Sequence, residues 1–466
     1  MLGMGNMRQW LMNISLVGGW FPAAAFAVIA VLSVTLLVSA AVSKRDGRIL
    51  ATVLPIGVAA VSGMVGYVVA WLLSDVFVVF GVGLGSRVMS WVAAGFAIAG
   101  FAIVHIVLSR GMMRVAAAIL TVFAILAAAI GIDQSYGEYA TIGSLFGEDF
   151  YSQADLTGLA KRKDLITVAQ WRKQAANGTI RNIPANGTVN KIDIPATKSQ
   201  FEARKALVYL PPAALADSKR KPALPVVLML SGQPGSPGRV FQAGGIQTMM
   251  DGYAKTHDGL APIVIAADQL GADSHNTLCV DSKVYGNALT YLTQDVVDWV
   301  KTNLPAAQDA KDWAIAGFSQ GATCSLQIGV NHPDLFGTMI PTDSEIKPTN
   351  GSRQEMIDRF FDGDTTAYEN QVPVNAIRNH APTHQMLIIG AGEKDTTSIR
   401  NVKTIAPVAA KAGMRVAAVE SSGNAHDWHA VQDVLRYGLA VFGHDTGLDG
   451  ANPNLSDYPN LKRITI

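Results

Sequence analysis

Cysteine is nearly absent: the 466 residues contain two, Cys279 and Cys324. That excludes a disulfide-stapled scaffold and a four-cysteine zinc site, and leaves room for a single bond if this part of the chain meets an oxidising compartment. Excess charge is lacking too. With 37 Lys and Arg against 36 Asp and Glu the net charge is +1, so there is neither the basic field that holds nucleic acid nor an acidic solvating tail. No nucleic-acid partner is expected. No His-Glu-x-x-His stretch occurs, and the closest pair of histidines, His426 and His429, has no third ligand that sequence can place beside it. Neither a metal nor a cofactor is expected.

What the chain has in surplus is apolar surface: 49% hydrophobic residues and a mean hydropathy of +0.25, high for a purely soluble protein. The surplus is concentrated before residue 133. Four stretches there, roughly 20–42, 49–73, 88–108 and 115–132, each approach the ~20 residues that cross a hydrocarbon core as a helix. A cleavable leader would be one such stretch, whereas here three more follow, so the first is expected to stay attached. Lys44, Arg45 and Arg48 lie between the first two stretches and Arg110 and Arg114 between the last two, against Arg8 and Arg87 on the opposite connections. The positive-inside rule then puts both ends of the bundle outside. The acidic flank Asp133, Glu138, Glu148, Asp149, with no basic residue before Lys161, agrees with translocation of everything downstream. The expected location is a plasma membrane, multi-pass, with the C-terminal half outside the cytoplasm. His105 falls in the third stretch, and none of the four contains an acidic partner for it.

Residues 133–187 read as a linker with a short helix near 165–176, and the two Asn-Gly-Thr triplets at 177–179 and 186–188 read as turns. From 188 to 466 short apolar runs alternate with helical patterns: 206–210, 225–230, 262–267, 313–316, 337–340, 385–389 and 415–419. Continuous apolar strands separated by helices predict a mostly parallel sheet covered on both faces. The expected architecture is an all-α membrane bundle (1–132), the linker, and an α/β domain with a mostly parallel sheet (188–466). In such sheets ligands bind beyond the carboxyl ends of the strands.

After Ala314-Ile-Ala comes Gly317-Phe-Ser-Gln-Gly321, a G-x-S-x-G elbow that would push the Ser319 hydroxyl into the open. In a chain with 44 glycines the motif gains its weight from lying between a strand and a helix. A serine needs a base, and hydrolases of this architecture supply serine, acid and histidine in chain order, each after its own strand. Asp395, with Glu393 as the alternative acid, follows the 385–389 run, and His426 follows the 415–419 run. Ser319 would attack an acyl carbonyl, His426 would carry its proton, and Asp395 would hold the imidazole. The oxyanion donors would be the backbone N–H of Gln320 and one from Ser231-Gly-Gln-Pro-Gly-Ser-Pro-Gly238, that of Gln233 or Gly232. Residues 344–384 form an insertion, a lid or plain helical packing, and His380 and His384 lie on the edge away from the chemistry.

Gly317-Phe-Ser-Gln-Gly321, the following His332-Pro-Asp-Leu-Phe336, the preceding Tyr291-Leu-Thr-Gln-Asp-Val-Val-Asp-Trp299 and His426-Asp-Trp428 resemble the putative-esterase family of α/β-hydrolases over about 188–445. That family includes esterase D, feruloyl esterases and the mycolyltransferases of mycobacterial envelopes. The resemblance implies a serine esterase or acyltransferase with Ser319 and His426 in the family's roles. A multi-span N-terminus on such a domain resembles actinobacterial envelope proteins, for which a lipid or envelope ester carrying an acyl or aminoacyl group is the implied substrate. The rival class is a non-catalytic envelope protein that uses the domain to bind a ligand or partner. Cys324, on the first turns after Ser319, and Cys279, in a loop bordering the same cleft, are expected to form a disulfide.

Overall fold

Each of the four apolar stretches forms a helix long and apolar enough to cross a membrane. The structure is a computed structural model that describes residues 4–42, 48–77, 79, 83–148, 151–160, 162–180 and 182–466. Lys44, Arg45, Asp149 and Lys161, used above to argue orientation, lie outside the described residues. The helices are α1 (Trp20–Ala41), α2 (Arg48–Trp71, continued by the π-helical turn Leu72–Val76), α3 (Gly85–Leu108) and α4 (Met112–Tyr136). The second and fourth outrun the apolar stretches and take in Asp75 and Asp133, because backbone hydrogen bonding continues past the last apolar side chain. Asp133 accepts the Tyr139 N–H at 2.8 Å and fastens the turn that follows. His105 is buried, its ring 4.6 Å from that of Phe101 on the same helix.

Where oil-like surroundings give no hydrophobic drive, membrane helices associate by close packing at small residues. A Cβ on Gly100 would run into the Ser62 side chain of α2, and one on Gly131 into the Trp91 ring of α3, both far inside van der Waals contact.

The chain divides into two compact units, Met1–Glu148 with Ala425–Asp427, and Asp149–Asn424 with Trp428–Ile466. The second contains a ten-stranded sheet. Its strands are β1 (Ser152–Gln153), β2 (Thr188–Ile192), β3 (Ala206–Leu210), β4 (Val226–Leu230), β5 (Ile263–Ala266), β6 (Trp313–Phe318), β7 (Thr338–Thr342), β8 (Met386–Gly392), β9 (Arg415–Ser421) and β10 (Leu461–Arg463). They lie in the order β1-β2-β3-β5-β4-β6-β7-β8-β9-β10. The middle, from β5 to β9, is parallel, while β3 and β10 pair antiparallel at either side of it.

The apolar runs become central strands because both faces are covered. Along β4, Val226, Leu228 and Leu230 enter one core, and Val227 and Met229 enter the other, the two-residue alternation of a pleated strand. The covering helices relevant to the site are α6 (Pro237–Ala243), α7 (Ile246–Lys255), α8 (Val296–Asn303), α9 (Gln320–Asn331), α10 (Thr396–Lys411) and α11 (Trp428–Asp445).

Of the stretch expected as a linker, 133–148 belongs to the first unit and the described residues from 151 onward are folded into the second. Its β1 pairs with β2, and its helix α5 (Val168–Ala176) buries Trp171 completely, the indole N–H donating to the Asp258 carbonyl at 3.2 Å. Buried Leu156 and Ile166 enter the same core as Trp171, and Leu165–Ile166 pairs with Lys221–Pro222.

Gly131→Leu should lower the melting temperature of the detergent-purified protein, by the equivalent of about 1–3 kcal/mol for overpacking. Gly57→Leu, where an added Cβ meets nothing within 4 Å, should leave it unchanged; thermal scans of tryptophan fluorescence compare the two.

Candidate active site

Strand β6 passes into helix α9 through Ser319, whose φ of 55° and ψ of −117° lie where an L residue costs about 1–3 kcal/mol. The two flanking glycines make this turn sterically feasible. A Cβ on Gly317 would overlap the Gly321 carbonyl, and one on Gly321 would overlap the Ser231 carbonyl at the end of β4. The Ser319 N–H donates sideways to Thr342 O of β7 at 3.0 Å, which locks the elbow to the neighbouring strand.

The loop after β8 carries both candidate acids and separates them. Glu393 points to the exposed side, accepting the Gly423 N–H at 2.7 Å and the Lys462 ammonium at 3.0 Å. The Gly423 hydrogen bond first and Lys462 second hold its carboxyl below the usual carboxylate range. Asp395 is turned inward, 9% exposed, and caps α10 by accepting the N–H groups of Thr397 and Ser398 at 3.1 and 3.0 Å.

The loop after β9 is tied to the acid loop by backbone bonds, Glu393 N to Ser421 O at 2.9 Å and Lys394 N to Asn424 O at 2.8 Å. Asp433 of α11 holds it from below, accepting from Ser421 Oγ at 2.7 Å and Asn424 Nδ2 at 3.2 Å. Trp428, two residues past His426 and 2% exposed, packs its ring 5.0 Å from Phe318, one residue before Ser319. Asp395 and half-buried His426 come together with a third residue, Asp343: one carboxylate oxygen of each Asp and one ring nitrogen of His426 lie within 4.8 Å of one another.

The sequence reading passed over Asp343. It follows β7 immediately, the position where strand-end chemistry is to be sought, but in Thr342-Asp343-Ser344 an aspartate also reads as an ordinary turn residue.

The loop after β4 runs beside the elbow: a Cβ on Gly232 would sit 3.5 Å from that of Ser319 and 3.3 Å from the Phe318 ring. Gln233 precedes Pro234 through a cis bond. Gln320 opens α9, where backbone N–H groups have no acceptor within the helix. Buried Gln269 joins the two segments, its amide donating to Ser231 O at 2.7 Å and to the Gln320 side-chain oxygen at 3.2 Å. Arg204 braces the same loop from outside. Its guanidinium grips Asp268, which is fully buried, with two bonds of 2.9 and 2.8 Å, and donates to Gly235 O at 2.9 Å.

Cys279 and Cys324 are joined in a disulfide, which fixes the 271–287 loop to α9. Of the 344–384 insertion, Met356, Ile357, Phe360 and Tyr368 pack on Leu278 and Val280 of that loop as a separate small core. His380 bonds Asn331 at 3.0 Å, and His384 lines a cavity of about 430 Å³ with Lys311, Gly337 and Arg415 at the opposite ends of the strands. A larger cavity, about 660 Å³, lies against α7 and α11 and has none of Ser319, Asp343, Asp395 or His426 in its lining.

A parallel sheet with antiparallel flanks, a strained serine between glycines, and acid and histidine loops after later strands make the second unit an α/β-hydrolase. The chain belongs to the Putative esterase family, which it matches over residues 198–438, and is thus an esterase-type member of that class. An uncharacterized protein of Corynebacterium glutamicum is 32% identical over 339 residues, 70% of this chain and 74% of that one. Among solved structures, S-formylglutathione hydrolase of Agrobacterium tumefaciens is 16% identical with a TM-score of 0.46, covering 57% of this chain and 98% of that one. MPT51 of Mycobacterium tuberculosis is 14% identical with a TM-score of 0.40, covering 56% and 98%.

Arg204→Met should leave Asp268 without its counter-charge, held only by the backbone N–H groups of residues 204, 270 and 271, and cost about 1–3 kcal/mol, measured by denaturant unfolding.

Proposed function

We propose that the protein is a membrane-anchored serine esterase or acyltransferase that acts, outside the cytoplasm, on the ester-linked acyl or aminoacyl group of a lipid or cell-envelope glycolipid. The observation that carries this reading is the strained Ser319 elbow, whose neighbour Phe318 packs against the segment bearing His426.

Ser319 Oγ attacks the acyl carbonyl while His426 takes its proton, and Asp395 supports the imidazolium. The oxyanion accepts from the N–H of Gln320 and from that of Gln233 or Gly232. Collapse of the tetrahedral adduct breaks the ester bond as His426 returns the proton to the leaving oxygen, leaving the acyl group on Ser319. Water or an acceptor hydroxyl then gives up a proton to His426 and attacks the acyl carbon, and Ser319 leaves with that proton. Hydrolysis and transfer differ only in this second nucleophile. The lipid character of the substrate is argued from the four apolar helices in the same chain, which hold the domain at a bilayer.

A fluorophosphonate should label the wild type and fail to label Ser319→Ala, which should lose turnover of a short p-nitrophenyl ester by a factor on the order of 10⁶. A serine-independent adduct, or none, would leave the domain a binding module. Comparison of envelope lipids with and without the gene should reveal an ester that accumulates in its absence.

A further inference from the structure

Asp343 is placed unlike an ordinary turn residue. It is fully buried, holds a φ of +55°, and joins the strands that carry nucleophile and acid. Its N–H donates to Gly390 O at 2.9 Å and its Oδ1 accepts the Gly392 N–H at 2.9 Å, both on β8, while the carbonyl just before it, Thr342 O, accepts from Ser319 N. One of its oxygens lies within 4.8 Å of both Asp395 and His426. Asp395 divides its charge, since Oδ1 also holds the first turn of α10. The acid next to His426 in sequence, Asp427, folds its Oδ2 back onto the Ala425 N–H at 2.7 Å.

Two buried carboxylates this close repel each other in a low dielectric, and a positive charge forming beside both relieves the repulsion. In the reaction proposed above, that charge appears on His426 when it takes the Ser319 proton. We infer that Asp343 is a second carboxylate acting on His426 alongside Asp395, a positioning residue that orients the imidazole and favours its charged form in the transition state. The inference rests on the Ser319 acyl-transfer reading.

The alternative is that Asp343 only anchors the Gly392 backbone, and Asn separates the two roles. Asp343→Asn keeps an oxygen for the Gly392 N–H and removes the charge. In the full-length protein in detergent, assayed with a p-nitrophenyl ester, D343N should keep the wild-type melting temperature and KM while kcat falls about 10- to 100-fold, a share of the ~10⁴-fold loss that follows removal of a triad carboxylate. Combined with Asp395→Asn, its effect should be far from multiplicative, since both act through one imidazole. Asp343→Gly, which suits the positive φ, should lose kcat in the same way and regain part of it with added formate, a check that stands even if D343N folds poorly.

Wild-type kcat in D343N, with only melting temperature lost in Asp343→Ala, would overturn the inference and leave a backbone anchor. Turnover lost to a chelator and restored by a divalent ion would also overturn it, making the cluster a metal site. A wild type that forms no Ser319-dependent fluorophosphonate adduct would instead bring down the esterase reading, and this inference with it.

Discussion

The second unit depends on one close approach: helix α9 starts so near the ends of β4 and β6 that neither Gly317 nor Gly321 has room for a Cβ. That approach forces Ser319 into a left-handed conformation, and the surroundings hold it there, through the Thr342 carbonyl on one side and the buried parallel sheet on the other. A strained residue persists only where its neighbours over-determine it. Strands β4, β6 and β7 meet at this turn, so the loops that follow them converge on Ser319 without any further device.

Two differently built supports flank the serine. On the β4 and β5 side the bracing is heavy: the half-buried Arg204 paired with fully buried Asp268, the Gln269 amide and the Cys279–Cys324 bond. On the β8 and β9 side it is lighter, made of backbone bonds between two loops and the hydrogen bonds centred on Asp433. Oxyanion donors work by being preorganised, so that no reorganisation is needed as charge develops. In the proposed reaction the His426 imidazole accepts a proton and then returns it, which calls for orientation more than rigidity, and hydrogen-bonded loops supply that.

The sequence made the parallel core legible for a physical reason. A strand buried on both faces must be apolar throughout, and each of the seven apolar runs from 206 to 419 became a strand. The edges were not legible, because β1 and β10 have exposed residues and are two and three residues long, too little pattern for a period of two to show. Residues 133–187 read as a linker since from 151 onward their attachment rests on two-residue strands and single side chains such as Trp171, which carry no periodic signal. The two acids of the 393–395 loop could not be ranked by spacing, because burial and capping decide which points inward, and those belong to the fold.

Asp343 illustrates where sequence patterns run out. An aspartate after a strand is read as a turn former, since its side chain commonly bonds nearby backbone, and Asp343 does bond backbone, at Gly392. What sets it apart is full burial and the nearness of Asp395 and His426, and all three follow different strands. Only the strand order places β7 and β8 side by side with β9 next, so that residues 52 and 31 positions apart in the chain share one end of the sheet. A parallel sheet therefore gathers buried charge at its carboxyl edge, and in the role inferred for Asp343 that charge is answered by the positive charge forming on His426 in the proposed reaction.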